Sequence, residues 1–496
     1  MSAKPIMVQG TMSGAGKSLL VAGLCRILSD MGYSVSPFKA QNMALNSFVT
    51  EDGLEMGRAQ VLQAQAARVT PSVDMNPILL KPTTDVGSQV IVHGRPLADM
   101  GARDYFRIRH TLKKDIRESY ERLAETSDII VIEGAGSPVE LNLKRDDICN
   151  MGMAKMVKSP VVLVGDIDPG GIFAQLVGTI MLLTDEEQAM VKATVVNKFR
   201  GDVTLFAEGI KILEDKCGVP VAGVVPYLDV NLEDEDSLSD RLTSTQTHDE
   251  DALDVAVIRL PKLSNFTDFI ALDAVPSVHV RYVRRPTELK DPDLIILPGT
   301  KSTVSDLTWL KHTGLASLIQ MRSQTGTPVI GICGGYQMLG EAIVDEGGFE
   351  GRKGTYEGLG LLPVTTTFAP DKLTRQTLAR IGSLRGRFAP LSGFSVVGYE
   401  IHQGRTGVFG GDPVLDRGDG TKDGCCQGSV LGCYLHGLFD EPGVVAALIG
   451  CIKPQAQTAQ VLGMAELREA EIAKLARGIS RALDMDLITK IIEEGL

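Results

Sequence analysis

No apolar run in this chain approaches the ~18 residues needed to cross a bilayer as a helix. No charged-then-apolar leader precedes residue 6 either, so the expectation is a cytoplasmic protein. Positive charge is in deficit: 50 Lys and Arg stand against 62 Asp and Glu, a formal net charge of −12. Nucleic acid and anionic membrane are therefore poor candidates as main partners, although a local basic patch can still bind a small anion. The 8 cysteines show no metal-ligand spacing, the adjacent pair Cys425 and Cys426 aside. In a reducing compartment they read as small buried side chains or inert thiols rather than a disulfide framework. Internal repeats and low-complexity tracts are also missing, and there is one Trp. What remains is an ordinary globular composition, 44% hydrophobic and 23% charged, in a chain of 496 residues. That length exceeds what one hydrophobic core usually supports, so two or more domains are expected.

The first of them opens with "IMVQGTMSGAGKSLLVAGL", Ile6 to Leu24. Ile6–Val8 reads as a short buried strand and Leu19–Met31 as an apolar-periodic helix, with small residues between. A phosphate loop requires that context. Gly10, Gly14 and Gly16, with Thr11 among them, leave room for backbone N–H groups to face phosphate oxygens at a helix N-terminus. Lys17 can reach the terminal phosphates and Ser18 can hold magnesium. The spacing is unusual, because Gly10 and Gly16 enclose five residues where the common pattern has four. The plain alternative is a flexible strand-to-helix turn with an exposed lysine.

Further on, "DIIVIEGAG" (128–136), "PVVLVGDID" (160–168), "ATVVNKFRG" (193–201) and "VPVAGVVPY" (219–227) are Val- and Ile-rich runs ending in Gly, Asp or Asn. They describe a parallel sheet with ligands at the strand carboxyl ends. Residues 231–252 turn acidic and read as a linker. A second series follows, "VAVIRL" (255–260), "LIILPGTKS" (294–302), "PVIGICGGYQMLG" (328–340) and "CYLHGLF" (433–439), and the chain ends in helical patterns. The expected architecture is α/β: two doubly wound, mainly parallel sheets at 1–230 and 253–445, then a helical tail at 446–496.

In "GICGGYQMLG", Cys333 stands where a buried strand meets a helix. Flanking glycines make a sharp elbow that presents the side chain, and the positive end of the helix favours the thiolate. The backbone N–H groups of Gly334 and Gly299 suit an oxyanion, and His436 in "YLHGLF" suits the base. A buried cysteine in a tight turn is the bland alternative.

These residues resemble known families. Gly331 to Gly340, with Gln337 inside, is similar to the nucleophile motif of class I glutamine amidotransferases, in which Cys and His release ammonia from glutamine. The first domain resembles dethiobiotin synthetase and its relatives, which share the five-residue spacing between the loop glycines. Joined in this order, the two resemble the cobyrinate amidotransferases across nearly the whole chain. The stretches that carry this are "PFKAQNMALNS", "GRAQVLQAQAA", "MNPILLKP", "VIEGAGSPVELNL", "DIDPGGIFA", "NKFRGD", "GYEIHQGRT" and "YLHGLF".

The resemblance implies a ligase that turns carboxylates of a corrinoid, a cobyrinic acid diamide, into amides with glutamine and ATP. It implies Mg2+ at Ser18 and Glu133, although an acid at a strand end can instead cap the next helix. It also implies nucleotide contacts from Asn197 and Lys198, and substrate contacts drawn from Lys39, Asn42, Lys81, Asp166 and Asp168, with Arg58 and Arg200 nearby. Each of these cations can equally be a solvated surface charge. Many class I enzymes place a Glu two residues after the catalytic His, but Gly437 and Leu438 follow His436 here. The orienting acid is absent or elsewhere, with Glu400 in "GYEIH" as a candidate. Two rivals stand beside this reading. One is the synthase that makes the a,c-diamide, whose first-domain stretches differ from "KAQNMALNS" and "MNPILLKP". The other is a phosphate-loop switch with a degenerate glutaminase domain, against which Cys333, His436 and Gln337 are all present.

Overall fold

The computed structural model describes residues 3–83, 87–232, 251–456 and 461–496. Most of the expected acidic linker, 233–250, lies outside the described residues. The chain divides into two compact units. The first comprises Met1–Ala44, Glu55–Ser237 and Arg468–Leu496, the second Leu45–Leu54 and Leu238–Leu467.

The first unit is built on six parallel strands, β1 (Lys4–Gly10), β2 (Val35–Phe38), β3 (Ile129–Glu133), β4 (Val161–Asp166), β5 (Val191–Phe199) and β6 (Val221–Pro226). Their spatial order is β6-β5-β4-β1-β3-β2. Strands buried on both faces read as continuous apolar runs, which is why "IIVIE" and "VVLVGD" are legible as strands without alternation. β1 lies between β3 and β4, so the loop after β1 leaves the sheet at its centre, where the carboxyl ends of its neighbours bring Glu133 and Asp166. A smaller four-stranded sheet in the same unit pairs Gln41–Met43, Ile78–Pro82, Gly87–Val92 and Arg95–Gly101 in that order.

The second unit repeats the theme with β7 (Leu253–Ile258), β8 (Val278–Val283), β9 (Leu294–Leu297), β10 (Val329–Ile332), β11 (Cys425–Gln427) and β12 (Val430–Cys433), in the order β8-β7-β9-β10-β12-β11. All pairs are parallel except β11 with β12. Beside it a long antiparallel hairpin, Val364–Ile381 with Ser395–Val408, leads back to the end of β12, where Tyr399 and His436 exchange both backbone hydrogen bonds.

Two segments depart from linear domain order. Residues 45–54, inside the sequence of the first domain, belong to the second unit. The stretch after 446, expected as one tail, is shared: Leu448 and Ile449 of the helix Pro442–Ile452 are buried in the second unit's core. Beyond Arg468 the chain returns to the first unit, where Ile472, Leu475, Ala476 and Ile479 pack with the helix Lys17–Asp30. Gly23 permits that approach, since a Cβ there would stand 2.3 Å from Ile479 Cδ1. Arg26 closes the seam with bonds of 2.6 and 2.9 Å to the two carboxylate oxygens of Glu469.

Candidate functional site

The loop after β1 takes the shape its glycines allow. Gly14 and Gly16 hold φ of 75° and 82°, a region an L side chain rarely enters. A Cβ on Gly10 would stand 3.0 Å from Lys17 Nζ, so this glycine gives the lysine its room. Lys17 Nζ donates to Met12 O at 3.1 Å and lies folded along the loop. Two side chains from the end of β5 brace the same loop: Asn197 donates to Ala15 O at 2.9 Å and Lys198 to Gly14 O at 2.6 Å. Thr11 donates to Gln175 at 3.0 Å. Structure therefore gathers Gly10, Thr11, Gly14, Gly16, Lys17, Ser18, Asn197 and Lys198 in one place.

Ser18 Oγ donates to Glu133 Oε1 at 2.8 Å. Burial alone would raise the Glu133 carboxyl, but the Lys39 ammonium at 2.7 Å and the Gln63 amide at 2.6 Å hold it below the usual carboxylate range. Magnesium keeps several waters and takes only one or two protein oxygens beside substrate phosphates. A hydroxyl and an ionised carboxylate at the mouth of a phosphate loop fit that demand. The described residues contain no cluster of three or more His, Cys, Asp or Glu that could cage a metal.

The substrate residues suggested by sequence are not gathered. Lys39 is committed to Glu133, Lys81 is buried against Glu55 at 2.7 Å, and Asn42 donates to Gln60. Asp166 pairs with Lys198 at 3.0 Å, while Asp168 pairs with Arg200 at 2.7 Å on the surface. Arg58 is buried at the start of its helix. None of these lines the cavity of about 370 Å3 found in the first unit. Its wall is mostly apolar, with Met43, Tyr105 and Phe106, and carries two cations, Arg109 and Lys144, and two acids, Glu140 and Asp147. Ala135 and Ser137 line it too, and Gly136 between them would place a Cβ 3.8 Å from Ser13 Oγ of the phosphate loop. The cavity thus lies next to the phosphate loop at Ser13. Its walls come from four separate stretches of the chain, so no single motif marks it.

In the second unit Cys333 follows β10 and caps the helix Gly334–Leu339 with φ 52° and ψ −108°, a strained conformation for a residue with a side chain. Its neighbours must be glycines. A Cβ on Gly335 would fall 1.9 Å from Leu297 O, and one on Gly331 2.8 Å from Tyr336 N. The packed elbow brings Gly334 beside Thr300, so that the 299–300 and 334 backbones converge. Gly299 also faces His436, where a Cβ would meet Cε1 at 3.0 Å. Gln337 is buried beneath the elbow, accepting from Thr303 at 3.0 Å and donating to Tyr434 at 3.1 Å.

His436 is fully buried, and its Nδ1 stands 2.7 Å from Asp268 Oδ2. Asp268 Oδ1 accepts from the Gly437 N–H at 3.1 Å, which fixes the carboxylate's plane. Burial would lower the imidazole's pKa, yet the Asp268 carboxylate and the Cys333 thiol alongside push it up to about 10. The orienting acid is thus Asp268. Glu400, the candidate read from sequence, is excluded: it is buried in its own network with Thr377 at 2.8 Å, Arg417 at 2.8 Å and Arg375 at 3.2 Å. The signal that could have found Asp268 is "LSNFTDF", a polar cluster just past the end of β7, where a parallel sheet presents its ligands.

Two family models match the chain. A CobQ/CobB/MinD/ParA nucleotide binding domain spans residues 6–238 and a CobB/CobQ-like glutamine amidotransferase domain spans 254–444. Phosphate loop and cysteine elbow in one chain therefore define an ATP-using glutamine amidotransferase of the C–N ligase class. Cobyric acid synthase of Lachnoclostridium phytofermentans is 49% identical, with all of both chains covered. The enzyme of that name from Ruminiclostridium cellulolyticum is 48% identical over 100% of this chain and 98% of its own. That from Salmonella heidelberg is 46% identical over 99% and 98%. The chain belongs to the cobyric acid synthase family.

Proposed function

We propose that the chain amidates the b, d, e and g side-chain carboxylates of a cobyrinic acid a,c-diamide, using ATP, Mg2+ and glutamine, on the way to cobalamin. The observation that carries this is the Asp268–His436 pair beside Cys333 in a chain whose other unit bears the Lys17–Ser18 loop. A carboxylate is a poor electrophile, because oxide is a poor leaving group. Its oxygen attacks the terminal phosphorus of ATP, ADP departs, and the resulting acyl phosphate has phosphate to lose. Lys17 neutralises charge on the phosphates, and Ser18 with Glu133 would hold Mg2+, which when bound spreads that charge further. The cavity beside Ser13 is mostly apolar and suits the edge of a macrocycle, with Arg109 the wall cation nearest to hand for an acidic side chain and Glu140 and Asp147 also on the wall.

Ammonia comes from glutamine. The Cys333 thiolate attacks the amide carbon, and the oxyanion is met by backbone N–H groups near Gly299 and Gly334. Protonated His436, steadied by Asp268, gives its proton to the departing ammonia. Water then cleaves the thioester, with His436 taking a proton from it, and glutamate leaves.

Mass spectrometry of corrinoid after incubation with ATP, magnesium and glutamine tests the reading. Products should gain amides one mass step at a time from the a,c-diamide and not from the unamidated acid. Glutamine-dependent ATP hydrolysis without any corrinoid product would favour a switch instead.

A further inference from the structure

The ten residues 45–54 form a strap: the chain leaves the first unit after Ala44, contributes to the second, and rejoins the first at Glu55. Its place in the second unit is built. Val49 is completely buried with Tyr399 and Ile401. Thr374 Oγ1 donates to Gly53 O at 2.7 Å, and Gln376 Nε2 donates to Val49 O. The two residues that begin the strap's ordered contacts bear on the neighbours of His436 from both sides.

Asn265 is one neighbour. Its Nδ2 stands 3.2 Å from His436 Nε2 and 3.5 Å from Nδ1, so the amide lies across the ring's nitrogen edge. Asn265 itself holds φ 55° and ψ 41°, a left-handed conformation kept by two bonds to the strap. Its backbone N–H donates to Asn46 Oδ1 at 2.7 Å, and its side-chain Oδ1 accepts from the Ser47 N–H at 3.1 Å. Tyr399 is the other neighbour. Its ring stacks on the imidazole at a centroid distance of 5.1 Å and 19° between planes, and its hydroxyl donates to Ser47 O at 3.1 Å. Ser47 thus holds Asn265 with its N–H and Tyr399 with its C=O. Asn46 and Ser47 are both buried.

We propose that Asn46 and Ser47 are positioning residues for glutamine hydrolysis, setting Asn265 and Tyr399 and through them the plane of His436. The inference rests on the glutaminase reading of Cys333 and His436. Neither strap residue touches the reacting atoms. Their effect is on how often the imidazole stands in line with the thiol and the leaving nitrogen, so it belongs in kcat rather than in glutamine binding.

The test uses the full-length protein and three variants. Asn46→Ala removes the acceptor of the Asn265 N–H and should lower kcat for glutamine hydrolysis about tenfold, leaving the KM for glutamine within about twofold. Asn46→Asp keeps an oxygen at the same reach and should recover most of the loss. Tyr399→Phe keeps the stacked ring and loses only the bond to Ser47, so its kcat should fall by about threefold. Amidation driven by added ammonium should be unchanged in all three. Wild-type kcat in both Asn46→Ala and Tyr399→Phe would overturn the proposal. So would equal loss with glutamine and with ammonium, or failure of Asn46→Asp to recover, since either marks damage unrelated to the His436 plane. His436→Ala is the control that tells two failures apart: normal glutamine hydrolysis there would remove the glutaminase reading itself.

Discussion

Asp268 and His436 meet across 168 residues of sequence, carboxylate Oδ2 to imidazole Nδ1 at 2.7 Å, with no solvent access to the ring. The contact fixes which ring nitrogen faces the thiol. Asp268→Asn should keep the shape and remove the charge, lowering kcat for glutamine hydrolysis on the order of a hundredfold or more. Steady-state glutaminase assays check this, with ammonium-driven amidation expected at the wild-type rate. Undiminished glutamine hydrolysis in the variant would take Asp268 out of the mechanism.

Cys333→Ala separates the two half-reactions. Glutamine hydrolysis and glutamine-driven amidation should vanish, and ammonium at alkaline pH, where more of it is neutral NH3, should restore amidation of the corrinoid. The variant's unfolding midpoint should stay close to wild type, because losing a thiol at a strained elbow leaves little cavity. Activity with glutamine in this variant would sink the nucleophile assignment.

Lys17→Ala should fail with either nitrogen source, since activation of the carboxylate precedes attack by ammonia in both. Glu133→Gln should behave likewise and should require more magnesium, because the carboxylate that Ser18 faces at 2.8 Å would lose its charge. Corrinoid products measured across a magnesium titration decide it. Near-normal ammonium-driven turnover in Lys17→Ala would exclude the phosphate-loop role.

Glu400 carries a pH dependence of a different kind. Burial would raise its carboxyl, but His402, Arg417, Thr377 and Arg375 hold it down at about 2 against an ordinary 4.5. A folded-state pKa below the unfolded one stabilises the fold above pH 4.5, and the contribution is lost as pH falls from 4.5 toward 2. Glu400→Gln should cost roughly 3–5 kcal/mol near neutrality, the scale of breaking a buried ion pair, because Arg417 and Arg375 lose the buried carboxylate they share. Unfolding curves at neutral pH and near pH 3 should show the gap between variant and wild type narrowing in acid. A gap that stays constant would mean the loss is steric.

The strand-loop-helix run from Lys4 to Asp30 and the Gly-x-Cys-Gly-Gly elbow were legible because their chemistry is written in consecutive residues. A buried parallel strand must be an apolar run, and a loop that passes close to backbone must be glycine. Local sterics carry that information, so Gly10, Lys17, Cys333 and the strand of Glu133 could be placed without coordinates. Asp268 was only hinted at by the polar cluster after β7, and nothing near His436 in sequence joins the two. The loop after β7 crosses the carboxyl end of β9, where the Ser264 N–H donates to Gly299 O at 3.0 Å, and only that crossing carries "SNFTDF" to His436 beyond the end of β12. Lys39 and Lys81 show the converse: their charge suggested an anionic substrate, yet each is answered by a buried glutamate that lies 94 or 26 residues away. The strap was hidden most completely. Residues 45–54 read as part of the first domain by chain order, and burial of Val49 beside Tyr399 and Ile401 assigns them to the second. Periodicity reports which face of an element is apolar. It does not report which core that face enters, because this is settled by packing between segments that never adjoin along the chain.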